Sequence, residues 1–155
     1  MVNEAKRGQY RISNIIVSVA RVGSQPSEVR TLRTPDDAAR LFLATAPVGD
    51  EREHCRIAIL DVRHNVKALH TVSIGTMTAS IVHPREVFRP AILAGGVAIL
   101  LTHNHPSGDP EPSGEDIAMT RRIAAAGTLL GIEVLDHIIT GADGRFVSLK
   151  TRGVL

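Results

Sequence analysis

The chain is poor in aromatic residues and in cysteine, and both shortages restrict what it can be. Aromatic side chains make up 3% of its 155 residues. The hydrophobic core must therefore be built from Val, Ile, Leu and Ala, and there is little surface on which nucleic-acid bases could stack. Cys55 is the lone cysteine, which excludes an internal disulfide. It also excludes the zinc deaminases, because their Pro-Cys-x-x-Cys signature needs two cysteines.

Long hydrophobic runs and a strong charge of either sign are lacking as well. No stretch reaches the roughly 20 apolar residues needed to cross a bilayer, and the polar segment from Met1 to Gln9 lacks the apolar run of a signal peptide. Basic and acidic residues number 18 and 16, a net charge of +2 that says little about partners. The length predicts one domain, and the lone cysteine with no membrane signal predicts a cytoplasmic protein.

Predicted strands and helices alternate along the chain, which favours an α/β layered domain. A Thr-Pro pair at Thr34 and a serine at Ser113 have the residue types that begin helices. Pro90 predicts a kink or a division into two short pieces in a helix that opens at His83. The predicted strands are 12–19, 56–60, 66–74, 97–101, 132–139 and 145–149, the predicted helices begin at 34, 83 and 113, residues 1–9 form a loose tail, and 49–53 form a charged connector.

The segment from His103 to Asp116 carries the candidate chemistry. It follows a run of strand length, 97–101, whose unbroken apolar character indicates burial on both faces. His103 and His105 project to the same face if strand geometry persists. Asp116 lies in the first turn of the next helix and offers a carboxylate as a third ligand. Catalytic zinc sites usually have three protein ligands plus water, so the pattern predicts a zinc site with Ser113 beside it.

Plainer interpretations of the same residues remain open. Ser113-x-x-Asp116 fits a capping box, which marks only a helix start. A lone His-x-His pair is common in surface loops. The capping and the metal-binding interpretations of Ser113 and Asp116 can hold together.

His-x-His, seven residues, Ser, two residues and Asp is similar to the metal-binding signature of the JAB/MPN metalloprotease family, also called JAMM. The stretches 82–88 and 102–109, with Asp136-His137, resemble its RadC branch, and the resemblance covers about 57–155. It implies a mixed sheet flanked by helices, as in cytidine deaminases. It also implies His103, His105 and Asp116 as ligands of Zn²⁺, and Ser113 as a catalytic residue that assists a substrate oxygen.

The resemblance also predicts the domain organisation. We expect residues 1–155 to be a single RadC-like JAB/MPN domain with a short N-terminal extension over about 1–56. RadC proteins of full length carry a further N-terminal helical region, for which this chain has no room. His137, in an apolar strand, is interpreted as a structural residue.

Enzymes of this family use an upstream Glu to activate the zinc-bound water, and the resemblance places that position at His70, five residues before Gly75. A neutral histidine can accept a proton. His70 could instead bind the metal or be a surface residue without a role. Glu86, the nearest other carboxylate upstream of the histidines, is an alternative candidate for the base, on the helix after His83.

Two functions follow from these patterns. The first is a Zn²⁺-dependent hydrolase of peptide or isopeptide bonds that uses a metal-activated water, with Ser113 and His70 as catalytic residues. The alternative, which rests on His70 in place of Glu, is a non-catalytic metal-binding or DNA-repair-associated accessory module. The peptide or protein substrate stays unidentified, nucleic acid enters through the family name alone, and no membrane partner is expected. Pairing of subunits through an N-terminal edge strand is an open alternative.

Overall fold

The computed structural model describes residues 13–25, 27–47, 51–75 and 82–155. No helix in these ranges is long and apolar enough to cross a membrane. Over the described residues the elements are α1 (Pro35–Ala44), β1 (His54–Leu60), β2 (Val66–Ile74), α2 (Pro84–Leu93), β3 (Ala98–Asn104), α3 (Gly114–Leu130), β4 (Glu133–Thr140) and β5 (Phe146–Ser148).

The strands form one mixed sheet in the order β2-β1-β3-β4-β5. The β3–β4 pairing is parallel and the other three are antiparallel. In the register of β1 with β3, Cys55 lies opposite His103. A mixed sheet flanked by helices confirms the predicted α/β fold class.

One face of the sheet is covered by α2 and α3 and the other by α1. This explains why β1 and β3 are buried along nearly their whole length. Residues of a strand alternate between the two faces. Ile57, Ile99 and Leu101 pack with the buried faces of α2 and α3, whereas Ala58 and Leu100 pack with α1. His103 continues the alternation of Ile99 and Leu101, so it belongs to the face that α3 covers.

Most of the predicted elements are confirmed, with small shifts at their ends. Thr34 caps α1, His83 caps α2 and Ser113 caps α3, each with a side-chain hydrogen bond. The most useful difference is at β3, which runs to Asn104 rather than ending at Leu101. The extra residues place His103 inside the sheet instead of in the following loop.

The strand predicted over 12–19 is wrong for the residues that the structure describes. Residues 13–19 form no strand, and Ile15 and Ile16 are 81% and 98% exposed. A β-branched run favours a pleated surface only where a neighbouring strand pairs with it, and no strand among the described residues pairs with this segment. The alternative that subunits pair through this segment stays untested. Ile12, the predicted tail 1–9 and part of the predicted connector, 49–50, lie outside the described residues.

Of the kink or division predicted at Pro90, the division is not seen, because α2 is one helix with this proline inside it. A proline removes one backbone hydrogen bond and costs about 3 kcal/mol in a helix interior. Val87, Phe88 and Ala91 of the same helix are fully buried in the core. Their packing outweighs the lost bond, and the helix ends at Leu93, soon after the proline.

Candidate metal centre

Two imidazole rings at the end of β3 lie beside the start of α3. His103 is fully buried. His105 lies just beyond the strand, but its backbone N–H donates to Thr140 O at 2.9 Å, which continues the pairing of β3 with β4. The two rings therefore keep the same-face relationship of strand residues, and their Nε2 atoms lie 2.9 Å apart.

Asp116 meets the histidines from the first turn of α3. The capping box is present: the Ser113 hydroxyl accepts from Asp116 N–H at 3.1 Å, and Asp116 Oδ2 accepts from Ser113 N–H at 2.7 Å. This leaves Oδ1 facing His103 Nε2 at 3.2 Å, while Oδ2 lies 3.5 Å from His105 Nε2. The capping box and the approach to the histidines thus occur together. Oδ2 takes part in the box and also lies near His105, while Oδ1 faces His103.

These distances fit a tetrahedral cation site. With zinc–ligand bonds of about 2.0–2.1 Å, tetrahedral ligand atoms are about 3.3 Å from one another. The distance from His103 Nε2 to Asp116 Oδ1, 3.2 Å, is close to that value, and the His–His distance of 2.9 Å is slightly shorter. The 3.5 Å distance from His105 Nε2 runs to the other carboxylate oxygen, Oδ2. Imidazole nitrogens suit transition-metal ions, zinc among them, better than magnesium or calcium.

The other ring nitrogens are occupied elsewhere, which orients both Nε2 atoms toward Asp116. His105 Nδ1 lies 2.7 Å from Asp109 O. A carbonyl can only accept, so Nδ1 carries the proton and neutral His105 presents a lone pair at Nε2. His103 Nδ1 lies 2.8 Å from Nε2 of the buried His137.

The loop between the histidines and α3 is fixed by the turn that follows β4. Gly108 O accepts from Ala142 N–H at 2.8 Å and from an Arg145 guanidinium N–H at 2.9 Å. Gly108 has φ +82°, which favours glycine, and a Cβ there would lie 2.9 Å from the Ala142 methyl. This anchoring holds the Asp109 carbonyl where it orients His105.

Glu53 is the residue that the sequence interpretation missed. Its Oε1 lies 3.9 Å from His103 Nε2. Among the described residues, Glu53, His103 and His105 form a group whose ligand atoms all lie within 4.8 Å of one another. Glu53 directly precedes β1, whose pairing with β3 sets it beside the histidines. In the sequence it closes the predicted charged connector 49–53, three residues before the predicted strand 56–60, and that place is the signal that could have found it.

His70 is not in this group. It lies on the edge strand β2, opposite Ile57, with a partly exposed side chain. Partial burial, followed by the positive charge of Arg89, lowers its pKa. Arg89 lies on α2. The same helix carries Glu86, which pairs with Arg85 and Arg89. The structure thus brings together His103, His105, Asp116 and Ser113 of the predicted site, and places His70 and Glu86 elsewhere.

The electrostatics of the site favour an ionised carboxylate. Burial raises the pKa of Asp116, but the hydrogen bond and charge of His103 and the bonds from Ser113 outweigh it, so the pKa lies well below its usual range. The Ser113 hydroxyl itself donates to Asp116 Oδ2 at 2.6 Å. Since a hydroxyl has one proton to donate, Ser113 in this arrangement orients Asp116, and it reaches a substrate oxygen only after rotation.

Comparisons with known proteins identify the family. Residues 32–154 match the family described as RadC-like JAB domain, a match that begins upstream of the predicted boundary near residue 57 and includes Glu53. The chain is 47% identical to a UPF0758 protein of Desulfitobacterium hafniense over 86% of this chain and 58% of that protein. It is 51% identical to one of Alkaliphilus metalliredigens, over 80% and 53% of the two chains.

A further relative, a UPF0758 protein of Methanococcoides burtonii, is 50% identical over 68% of this chain and 45% of its own length. The chain thus spans about half the length of the curated relatives it matches. The family match covers most of the chain, including every residue of the candidate centre. The chain therefore belongs to the RadC-like JAB domain family.

Proposed function

We propose that this domain is a zinc-dependent hydrolase of peptide or isopeptide bonds in which Glu53, rather than His70, is the general base. The observation that supports this most directly is the meeting of two imidazole Nε2 atoms and the Asp116 carboxylate at one point, with a second carboxylate, Glu53, beside them. His103, His105 and Asp116 are the proposed ligands. Glu53 then stands at the edge of the ligand set, 3.9 Å from His103 Nε2.

A zinc ion held by these residues would polarise a carbonyl oxygen and lower the pKa of a coordinated water to about 7. Glu53 would accept a proton from the water that attacks the scissile carbonyl, and would return it to the amine as the C–N bond breaks. A base must lie within hydrogen-bond reach of the proton that it takes, and of Glu53 and His70 only Glu53 lies in the group that contains the histidines. Ser113 holds Asp116 in its ligand orientation.

The alternative of a non-catalytic accessory module rested on the presence of His70 where a Glu was expected. Glu53 supplies a carboxylate at the centre and removes that reason. The relatives are longer than this chain, so their comparison does not extend to what a whole protein does. The substrate, any partner, a link to DNA repair and a cytoplasmic location therefore belong to the proposal.

The experiment compares the zinc-loaded protein with Glu53→Gln and His70→Gln on a panel of peptides and isopeptide-linked peptides. Both substitutions keep side-chain size close to the original while removing the proton acceptor. We expect Glu53→Gln to lower the rate of hydrolysis by about 100-fold or more with zinc still bound, and His70→Gln to leave it nearly unchanged. The opposite result would make His70 the base. A zinc-loaded parent that cleaves none of these substrates would favour the accessory module.

A further inference from the structure

A chain of buried hydrogen bonds runs from His103 away from the metal centre. His137 of β4 is fully buried, and its Nε2 lies 2.8 Å from His103 Nδ1. Its Nδ1 lies 2.6 Å from the hydroxyl of Thr120, which is fully buried on α3. That hydroxyl in turn donates to the backbone O of Asp116 at 2.6 Å. The chain therefore begins at one proposed ligand and ends on the backbone of another.

The direction of every hydrogen bond in this series follows from the single hydroxyl proton of Thr120. The Asp116 carbonyl can only accept, so the Thr120 hydroxyl uses its single proton there. The same oxygen must then accept from His137, and His137 Nδ1 carries the proton. A neutral imidazole has one N–H, so His137 Nε2 is an acceptor. His103 must donate to it from Nδ1.

This order requires His137 to be neutral, and its surroundings favour that state. Its ring is fully buried, where a charged imidazole would lose its hydration. Asp136 adds backbone anchoring, since its Oδ1 accepts from the N–H of His137 at 2.7 Å and from Lys150 N–H at 3.0 Å. The backbone at His137 is thus tied, through Asp136, to the segment that follows β5.

We propose that Thr120 and His137 are positioning residues that fix the tautomer of His103 and so present its Nε2 lone pair to a cation. The inference rests on the proposed metal site and adds a role for two residues that do not touch the metal. Both ring nitrogens of His137 are occupied by Thr120 and His103, so His137 itself is not a ligand. Partners of this kind typically change metal affinity about 10- to 100-fold.

The decisive variant is Thr120→Val, with Thr120→Ser as its matched control. Valine has nearly the shape of threonine but no hydroxyl, so the His137 Nδ1 proton loses its acceptor. His137 then places its proton on Nε2 and donates to His103, which must carry its own proton on the nitrogen that faces the metal. Serine keeps the hydroxyl and the parent order of bonds.

The first readout is the tautomer of His103 in the metal-free protein, measured from the imidazole ¹⁵N chemical shifts. We expect a proton on His103 Nδ1 in the parent and in Thr120→Ser, whatever the state of the Nε2 that faces Asp116, and an Nδ1 without a proton in Thr120→Val. A merely structural role for Thr120 would leave these shifts alone. An unchanged His103 tautomer in folded Thr120→Val would overturn the proposal.

The second readout is zinc affinity by chelator competition. We expect Thr120→Val to bind about 10- to 100-fold more weakly than the parent, and Thr120→Ser to match it. If Thr120→Val does not fold, His137→Gln and His137→Leu replace it, because only the Gln carbonyl can accept from His103. Equal zinc affinity of these two variants would contradict the proposal. A parent that binds no zinc defeats the proposed function, while the metal-free tautomer still decides this inference.

Discussion

Asn104 holds the backbone on both sides of Glu53. Its Oδ1 accepts from His54 N–H at 2.8 Å, and its Nδ2 donates to Arg52 O at 3.1 Å. The last residue of β3 thus extends the pairing with β1 through its side chain, where the backbone ladder ends. Asn104 lies between His103 and His105 in the chain. The segment 103–105 therefore carries both histidines and also holds the backbone beside Glu53.

We predict that Asn104→Ala frees the segment around Glu53. Each of the two hydrogen bonds contributes about 0.5–1.5 kcal/mol, so the free energy of unfolding should fall by about 1–3 kcal/mol in urea. The His54 amide should exchange faster with solvent. Asn104→Asp keeps the acceptor for His54 N–H and serves as the control. Slow exchange at His54 in Asn104→Ala would show that Asn104 does not hold this segment.

A second prediction concerns Arg56, a buried arginine on β1 that joins the sheet to the C-terminal end of α1. Its guanidinium donates to Phe42 O at 2.7 Å and to Thr45 O at 2.8 Å. Positive charge and donors at this end satisfy carbonyls that have no partner within the helix. Arg56→Met keeps much of the stem but removes the donors, and we expect a loss of about 2–4 kcal/mol in the free energy of unfolding.

Arg40 provides the control for that measurement. It pairs with Asp37 at 2.6 Å, but its side chain is 67% exposed. Exposed pairs contribute about 0–1 kcal/mol, so Arg40→Met should change stability little. Similar losses in the two variants would contradict the role given to Arg56.

A third prediction concerns pH and Cys55. Burial, followed by the charge of Glu53, raises the pKa of its thiol to about 12. The unfolded chain loses this proton above about pH 8.5, whereas the folded protein keeps it. The free energy of unfolding should therefore decrease as the pH rises from about 8.5 toward 12, by up to about 1.4 kcal/mol per pH unit.

The measurement is urea unfolding at several pH values between about 8 and 10, for the parent and for Cys55→Ala. The difference in stability between the two should shrink as the pH rises, because alanine has no proton to lose. The parent thiol should also resist alkylation until the protein unfolds. Rapid alkylation of the folded protein would show that the thiol is accessible.

The sequence predicted those parts of the structure that depend on neighbouring residues. Helix starts at Thr34, His83 and Ser113 follow from local capping, and the buried strand after Val97 follows from its apolar run. The same locality explains the failure at residues 13–19, since a strand needs a partner that its own residues do not specify. Glu53 illustrates the other limit. Its place beside the histidines depends on the register of β1 with β3, which pairs residues far apart in the chain.

The three proposed ligands lie within a short segment of sequence, and there local reasoning was enough to bring them together. His137 was interpreted as a structural residue, because its contact with His103 arises from the parallel pairing of β3 with β4. Tertiary pairing therefore supplies what the sequence pattern lacks: the carboxylate beside the centre and the buried chain behind it.

The most direct test of the metal centre is elemental analysis of the untagged protein, purified without chelator and offered zinc, beside the His103→Ala/His105→Ala double variant. The account predicts about one zinc per chain in the parent and none in a folded double variant. Folding of both is checked by circular dichroism. A folded parent that holds no zinc, or a double variant that holds as much as the parent, would contradict it.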